Sequence, residues 1–434
     1  MNKKFLSLLA AGLFAAVPVF AQAAPAPVPD VPVRLAIQLA AEKGVFYGDE
    51  ALSATFQLAN SAPQQLEAVL ITEITTDFGA PVTVLKTPVV LAGGGNLKQA
   101  ISHKIGTPGF YRFTAHLELD GKKGPATTFR LGYEPEKIAY TSSAKPDFKA
   151  FWDTTLAELA KVEPRYSLVL LPDLCTATLD MYEVRMQSFG DVIVGGHYLV
   201  PKKPGKYPTI VRFLGYGSGP SIPERNSDKV IRYVASTRGQ GVMKSQNPYG
   251  EWMAYRLDSR DDYYYRGAYL DTVRAIDFVC SRPEVDQDRL MVEGGSQGGS
   301  LSYVCAALDK RVKFCVPTIP GFCDIPNFIT LTPWPGSIFR NYLAKNDKGV
   351  TQETMDAMLT YYDVKNFAPA ITCPVYMGVG LQDPICPPTT NFAPYNLLKC
   401  EKRFAIYPET GHGVRGGDFY PKSYAWVNEK FGIK

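Results

Sequence analysis

The hydrophobic pattern of this chain changes period near residue 147, and no single layer of structure accommodates both halves. In the first half Val33, Leu35, Ile37 and Leu39 alternate with other residues, and so do Leu52, Ala54, Phe56 and Leu58. Tyr111, Phe113, Ala115, Leu117 and Leu119 repeat the pattern. Side chains two apart share one face of a strand, so each run describes a strand with one buried side. Apolar stretches at 66–74, 82–85 and 127–131 add strands, and turn residues such as Asp120-Gly121 separate them. Short strands without a helical stretch predict a β-sandwich of immunoglobulin-like type over residues 31–133.

From Asp147 onward the spacing becomes helical, with Phe148, Phe151, Leu156 and Leu159 on one face. Buried-strand runs then follow at 210–214, 234–236, 290–293, 314–318, 375–379 and 404–407, with helical stretches at 269–280 and 301–308 between them. Strands alternating with helices predict a mostly parallel sheet covered on both faces, over residues 147–434. The chemistry of such a sheet lies at the carboxyl ends of its strands.

The first residues read as a cleavable leader, 1–23. Lys3 and Lys4 precede an apolar run from Phe5 to Phe20, and Ala21-Gln22-Ala23 has the small-x-small pattern of a cleavage site. The run is short for a bilayer span, which needs about 20 residues. The expected location is outside the cytoplasm, periplasmic or secreted, with no membrane span in the mature chain. Removing the two lysines lowers the formal charge from +4 to +2. That is too little to favour nucleic acid or anionic lipid. Most of the eight cysteines sit in apolar runs and none forms a CxxC, so buried thiols are expected. Cys373 with Cys386, or Cys315 with Cys323, are the pairs an oxidising compartment would join. No metal or cofactor is expected.

The strand at 290–293 runs into Gly294-Gly295-Ser296-Gln297-Gly298, a G-x-S-x-G between predicted strand and predicted helix. The turn must be sharp, so the serine backbone is strained and its neighbours lack side chains. A serine nucleophile needs a base. Of the four histidines, His103 and His116 lie in the sandwich and His197 precedes the serine. His412 alone follows it, in a loop after the strand at 404–407. The supporting acid should lie between the two at a strand end, and Asp383 does. Asp309, Asp356 and Asp363 sit in helical or irregular surroundings, and Glu409 is too close to His412 in sequence. The oxyanion donors are then the backbone N–H groups of Gln297 and of Tyr216, in the Gly215-Tyr216-Gly217 loop after the strand at 210–214.

With Arg238-Gly239-Gln240 preceding Gly295-Ser296-Gln297-Gly298, the second half resembles the acetyl xylan esterase / cephalosporin-C deacetylase family of α/β-hydrolases. Tyr265-Arg266 through Asp271 and Arg274, then Arg282-Pro283-Glu284-Val285-Asp286, look like that family's helix before the nucleophile turn. The resemblance implies a small acyl pocket, removal of acetyl groups from small carbohydrates or similar alcohols, no metal, and Ser296, Asp383 and His412 as the triad. It makes Arg238 and Gln240 supports of the site. Two departures stand out. Gly413 follows His412 where the family usually has Glu, which leaves local support of the histidine open. The sandwich is absent from single-domain members, which form hexameric rings, so the ring is not carried over and homo-oligomerisation stays open. Rival readings are a broader acyl hydrolase or peptidase on the same triad, and a carbohydrate-binding or adhesion protein with an inactive hydrolase half. Trp252, Trp334 and the tyrosines at 263–265 could line a pocket, stack on sugars or fill the core.

Overall fold

The computed structural model describes residues 33–38, 44–345, 348–414 and 418–432. The expected leader and Leu39 of the first alternating run fall outside these residues. The first half contains β1 (Val33–Gln38), β2 (Val45–Phe46), β3 (Leu52–Asn60), β4 (Leu66–Thr76), β5 (Pro81–Leu91), β6 (Asn96–His103), β7 (Gly109–Leu119), β8 (Lys122–Lys123) and β9 (Thr127–Tyr133). One sheet has the order β1-β3-β6 and the other β2-β9-β7-β4-β5, with β8 paired to β7. The alternating residues of β3 and β7 face inward. Phe56 and Leu58 from one sheet meet Phe113, Phe129 and Leu131 from the other in a shared core. The ring of Phe129 stacks on Phe113 and meets Phe56 edge-on, the geometry aromatic quadrupoles favour.

The second half opens with a helix, Phe148–Ala160, that buries Phe151, Trp152, Thr155 and Leu159. Its sheet contains β10 (Ser167–Leu170), β11 (Leu179–Ser188), β12 (Val192–Pro201), β13 (Tyr207–Phe213), β14 (Ile231–Ser236), β15 (Val285–Gly295), β16 (Phe314–Thr318), β17 (Val375–Gly380) and β18 (Lys402–Tyr407). Their order is β10-β11-β12-β14-β13-β15-β16-β17-β18. From β14 to β18 every pair is parallel. The sheet is more mixed than expected, because β10, β11 and β12 pair antiparallel up to β14. A turn at Phe189-Gly190-Asp191, with Gly190 and Asp191 at positive φ, folds β11 onto β12 without a helix. That turn signal lies in the sequence between two apolar strands and belongs to a hairpin.

Both faces are covered. Val292 and Cys315 pack with the helices Tyr264–Cys280 and Gln297–Leu308. Met291, Phe314 and Val316, one residue out of phase, pack under the helix Phe419–Phe431. All eight cysteines are free thiols, so neither Cys373–Cys386 nor Cys315–Cys323 is joined. Among the described residues no helix is long and apolar enough to cross a membrane.

The two halves share a buried polar joint. The side chain of Asp77, 1% exposed, accepts from Arg112 Nε at 2.7 Å and Arg130 Nε at 2.8 Å through Oδ1. Its Oδ2 accepts from the Thr389 hydroxyl in the second half. Beside it Phe110 leaves the sandwich core for that of the second half, its ring 5.5 Å from that of Phe392. Burial raises the Asp77 pKa, but Arg130, Thr389 and Arg112 outweigh it and hold the carboxyl below its ordinary value. A depressed carboxyl pKa contributes stability above the unfolded-state value, about 3.9, and loses it as pH falls through the folded-state value. Asp77→Asn is expected to cost about 3 kcal/mol in urea unfolding at pH 7, since one member of a buried ion cluster is removed. The gap to wild type should close toward acid pH. Equal unfolding midpoints at pH 7 would contradict the assigned role.

Candidate active site

The turn from β15 into the helix Gln297–Leu308 carries Ser296 at φ 57° and ψ −122°. A non-glycine residue pays for that conformation, so the surroundings must enforce it. They do so by crowding. A Cβ on Gly298 would lie 2.2 Å from the Phe213 carbonyl oxygen, and one on Gly294 would lie 2.6 Å from the Gly298 backbone. Strand, turn and helix are therefore in backbone contact. The Ser296 N–H donates to the Thr318 carbonyl at 3.0 Å, and the Ser296 carbonyl accepts from Gly299, Ser300 and Gly321. Both backbone groups of Ser296 are thus used.

Asp383 and His412 meet from different loops. Asp383 follows β17 and is fully buried. Its Oδ1 accepts from the N–H groups of Ile385 at 2.8 Å and Cys386 at 2.9 Å. Its Oδ2 lies 2.8 Å from His412 Nδ1. His412 follows β18, and its loop lies directly on the end of β17. A Cβ on Gly380 would lie 2.1 Å from the Gly411 carbonyl oxygen and 2.7 Å from that of Gly413. The histidine loop rests on the backbone of the neighbouring strand, so its seating does not depend on a side chain at position 413.

One residue that the sequence offered only as a disulfide partner for Cys373 stands within this group. Cys386 Sγ is 4.0 Å from Ser296 Oγ. Its sulfur, an Asp383 oxygen and a His412 ring nitrogen all lie within 4.8 Å of one another. Serine, imidazole and carboxylate therefore surround one thiol. Those three ligand types could in principle hold a metal ion, a Cys/His grouping not visible from spacing. Burial, with Asp383 beside it, pushes the Cys386 thiol well above its ordinary pKa. Asp383 and His412 already use each other as partners. The donor set fits a hydrogen-bonded acid–base pair better than a metal centre.

The loop after β13 and the start of the helix Gln297–Leu308 are held by one side chain. Gln240 Oε1 accepts from the Gly217 N–H at 2.9 Å, and Gln240 Nε2 donates to Tyr264 Oη at 2.8 Å. The amides of Gln240 and Gln297 contact each other at 3.3 and 3.4 Å, and Tyr265 donates to Gln297 Oε1 at 3.0 Å. Gln297 is the first residue of its helix, so its N–H has no intrahelical acceptor. Arg238 anchors the support from beneath. Its Nε and Nη2 bond Asp271 in a two-pronged pair at 2.9 and 2.8 Å, and its N–H adds a third bond at 2.9 Å. Asp271 also accepts from Ser188 at 2.6 Å.

Of the aromatics, Tyr263, Tyr264 and Tyr265 are core residues, each at most 2% exposed. Trp252 and Trp334 flank Tyr216 edge-on, with ring centroids 5.1 and 6.0 Å away, and make the wall beside the loop. Three other polar candidates, Asp363, Asp309 and His197, have structural partners. Asp363 accepts from the N–H groups of Asp324, Ile325 and Lys365, and burial raises its pKa to about 6. Asp309 pairs with Arg311, and His197 Nδ1 contacts the Ser221 carbonyl at 2.8 Å.

Comparison with known proteins identifies the family. Residues 134–430 match the acetyl xylan esterase (AXE1) family model. Acetyl esterase Axe7A of Xylanibacter ruminicola is 32% identical over 320 residues, covering 70% of this chain and 71% of that protein. Among solved structures, acetyl xylan esterase 1 from Thermoanaerobacterium sp. JW/SL YS485 superposes with a TM-score of 0.63 at 29% identity, over 68% of this chain and 96% of that one. Acetyl xylan esterase from Paenibacillus sp. R4 gives 0.63 at 30% identity, over 68% and 98%. The α/β-hydrolase sheet, the strained serine turn and these matches together show that the chain belongs to the acetyl xylan esterase family of carboxylic ester hydrolases.

Proposed function

We propose that this protein is an exported serine esterase that removes acetyl groups from small carbohydrates, with Ser296 as nucleophile, His412 as base and Asp383 as the supporting acid. The observation that carries the proposal is the 2.8 Å contact of Asp383 with His412 Nδ1, beside a serine held at positive φ. Family membership supports the acetyl ester, and the leader at 1–23 supports export.

In this reading Ser296 Oγ attacks the acetyl carbonyl carbon while His412 Nε2 takes its proton. Asp383 holds the ring with Nδ1–H toward the carboxylate and stabilises the imidazolium, without itself taking the proton. The negative charge moves to the carbonyl oxygen, where the N–H groups of Gln297 and Tyr216 receive it. Each such donor is worth about 3 kcal/mol in the barrier. The C–O bond to the sugar then breaks and His412 returns the proton to the leaving alcohol. Water, deprotonated by the same imidazole, attacks the acetyl-enzyme, and acetate and free Ser296 result. Gln240 acts through the loop, since its bond to the Gly217 N–H fixes the peptide next to Tyr216.

Ser296→Ala is expected to lower turnover of p-nitrophenyl acetate by at least about a thousandfold, with an unchanged circular dichroism spectrum. Retained turnover would remove the mechanism. Wild-type protein should hydrolyse the acetate much faster than the octanoate; equal rates would favour the broader acyl hydrolase. Gln240→Leu should reduce kcat about 10- to 100-fold with little change in KM, because it loosens a donor used in the transition state. A rise in KM alone would place Gln240 in ground-state binding.

A further inference from the structure

Arg130 belongs to β9 of the sandwich, yet the far end of its side chain reaches the loop that carries Asp383. Its Nη1 donates to the carbonyl of Leu381 at 3.2 Å and to that of Asp383 at 3.1 Å, the residues on either side of Gln382. Gln382 returns the contact. Its Oε1 accepts from the Arg130 N–H at 2.7 Å, and its Nε2 donates to the Arg130 carbonyl at 3.0 Å. The same Nε2 donates to the Pro408 carbonyl at 2.7 Å, and the Gln382 N–H to the Thr410 carbonyl at 2.9 Å. Pro408 and Thr410 lead into His412. A third sandwich contact comes from Gly44, whose added Cβ would lie 2.4 Å from Leu381 and 3.0 Å from Pro408.

These bonds connect β9 to the acid loop and the base loop at once. They also make Arg130 a fixed point. Its Nε is held by Asp77, and its side chain is only 10% exposed. A guanidinium whose fork is shared between a buried carboxylate and two carbonyls has little freedom, and charge-assisted bonds of this kind are about twice as strong as neutral ones. Asp383 needs such control, because its carboxylate must meet His412 Nδ1 while accepting two N–H groups of its own loop.

We propose that Arg130 and Gln382 form a positioning pair through which the N-terminal sandwich sets the Asp383–His412 hydrogen bond, so that this domain completes the active site and does not merely precede it. The proposal rests on the triad reading above. A loop displaced by about 1 Å can cost about 100-fold in rate. A purely structural joint would lower thermal stability and leave the catalytic pH dependence unchanged.

The test uses the full chain with p-nitrophenyl acetate across pH, alongside thermal unfolding. Arg130→Met should lower kcat about 10- to 100-fold at nearly constant KM. A weaker carboxylate contact favours the imidazolium less, so the acid limb of the kcat/KM profile should move to lower pH. Arg130→Lys, which keeps the charge but not the fork, should recover part of the rate. Asp383→Asn is the control for the triad. Loss of activity in Asp383→Asn with wild-type kcat and pH profile in a folded Arg130→Met overturns the positioning role alone. Full activity in Asp383→Asn overturns the triad reading, and the proposal with it. Should Arg130→Met fail to fold, Gln382→Leu decides by the same readouts, since it leaves the Asp77–Arg130 pair intact; an unmoved profile there also overturns the proposal.

Discussion

The candidate site depends on backbone crowding at the end of β15. Strand, serine and helix come so close that Gly294 and Gly298 have no room for a side chain, and Ser296 is left in a conformation a non-glycine residue rarely adopts. Strain of this kind persists only where neighbouring structure over-determines it. Here the neighbours are the carbonyls of Phe213 and Thr318 from the two flanking strands, so the sheet itself holds the turn. The position of Ser296 is then a property of the core, and the residues that serve it can come from flexible-looking loops.

Those loops are held by polar side chains. Gln240 reaches from the end of β14 to the loop after β13 and to Gln297, and Arg238 is fixed on Asp271 below it. The side chains of Gln240, Gln297, Arg238 and Asp271 are buried and bonded to one another or to neighbouring groups, and satisfied networks of this kind stiffen a site. On the opposite side Asp383 is fixed by its own loop, by His412 and by the contacts of that loop with β9. Packing of apolar side chains covers both faces of the sheet, and directed hydrogen bonds place the few groups proposed for the chemistry.

The joint between the halves follows the same logic. Asp77 and Arg130 would be costly to bury separately, and they are buried together, with the partly exposed Arg112 on the same carboxylate, where the sandwich meets Thr389 and the acid loop. A buried ion cluster is weak evidence for stability but strong evidence for a fixed arrangement, because losing one member strands the others. That arrangement lies next to Asp383.

Much of this was legible in the sequence. The alternating period specified the sandwich strands, and strand–glycine–serine–glycine–helix specified the strained serine turn, because both depend on neighbours in the chain. Ser296, Asp383 and His412 could be chosen by order and strand-end position, and the structure brings Asp383 and His412 into contact. The antiparallel strands β10 to β12 were harder to see, since pairing partners are set by the sheet and not by local pattern. Cys386 read as a partner for Cys373 and not as a neighbour of the serine, and Arg130 and Asp77 went unremarked as sandwich residues. Their placement beside the site comes from contacts between residues 130 and 383, or 77 and 389, that no local periodicity encodes. The sequence alone determined the change of period between the halves and the choice of Ser296, Asp383 and His412 as candidates; only the tertiary structure decided which distant side chains hold those groups in place, because that depends on how two separately patterned halves pack together.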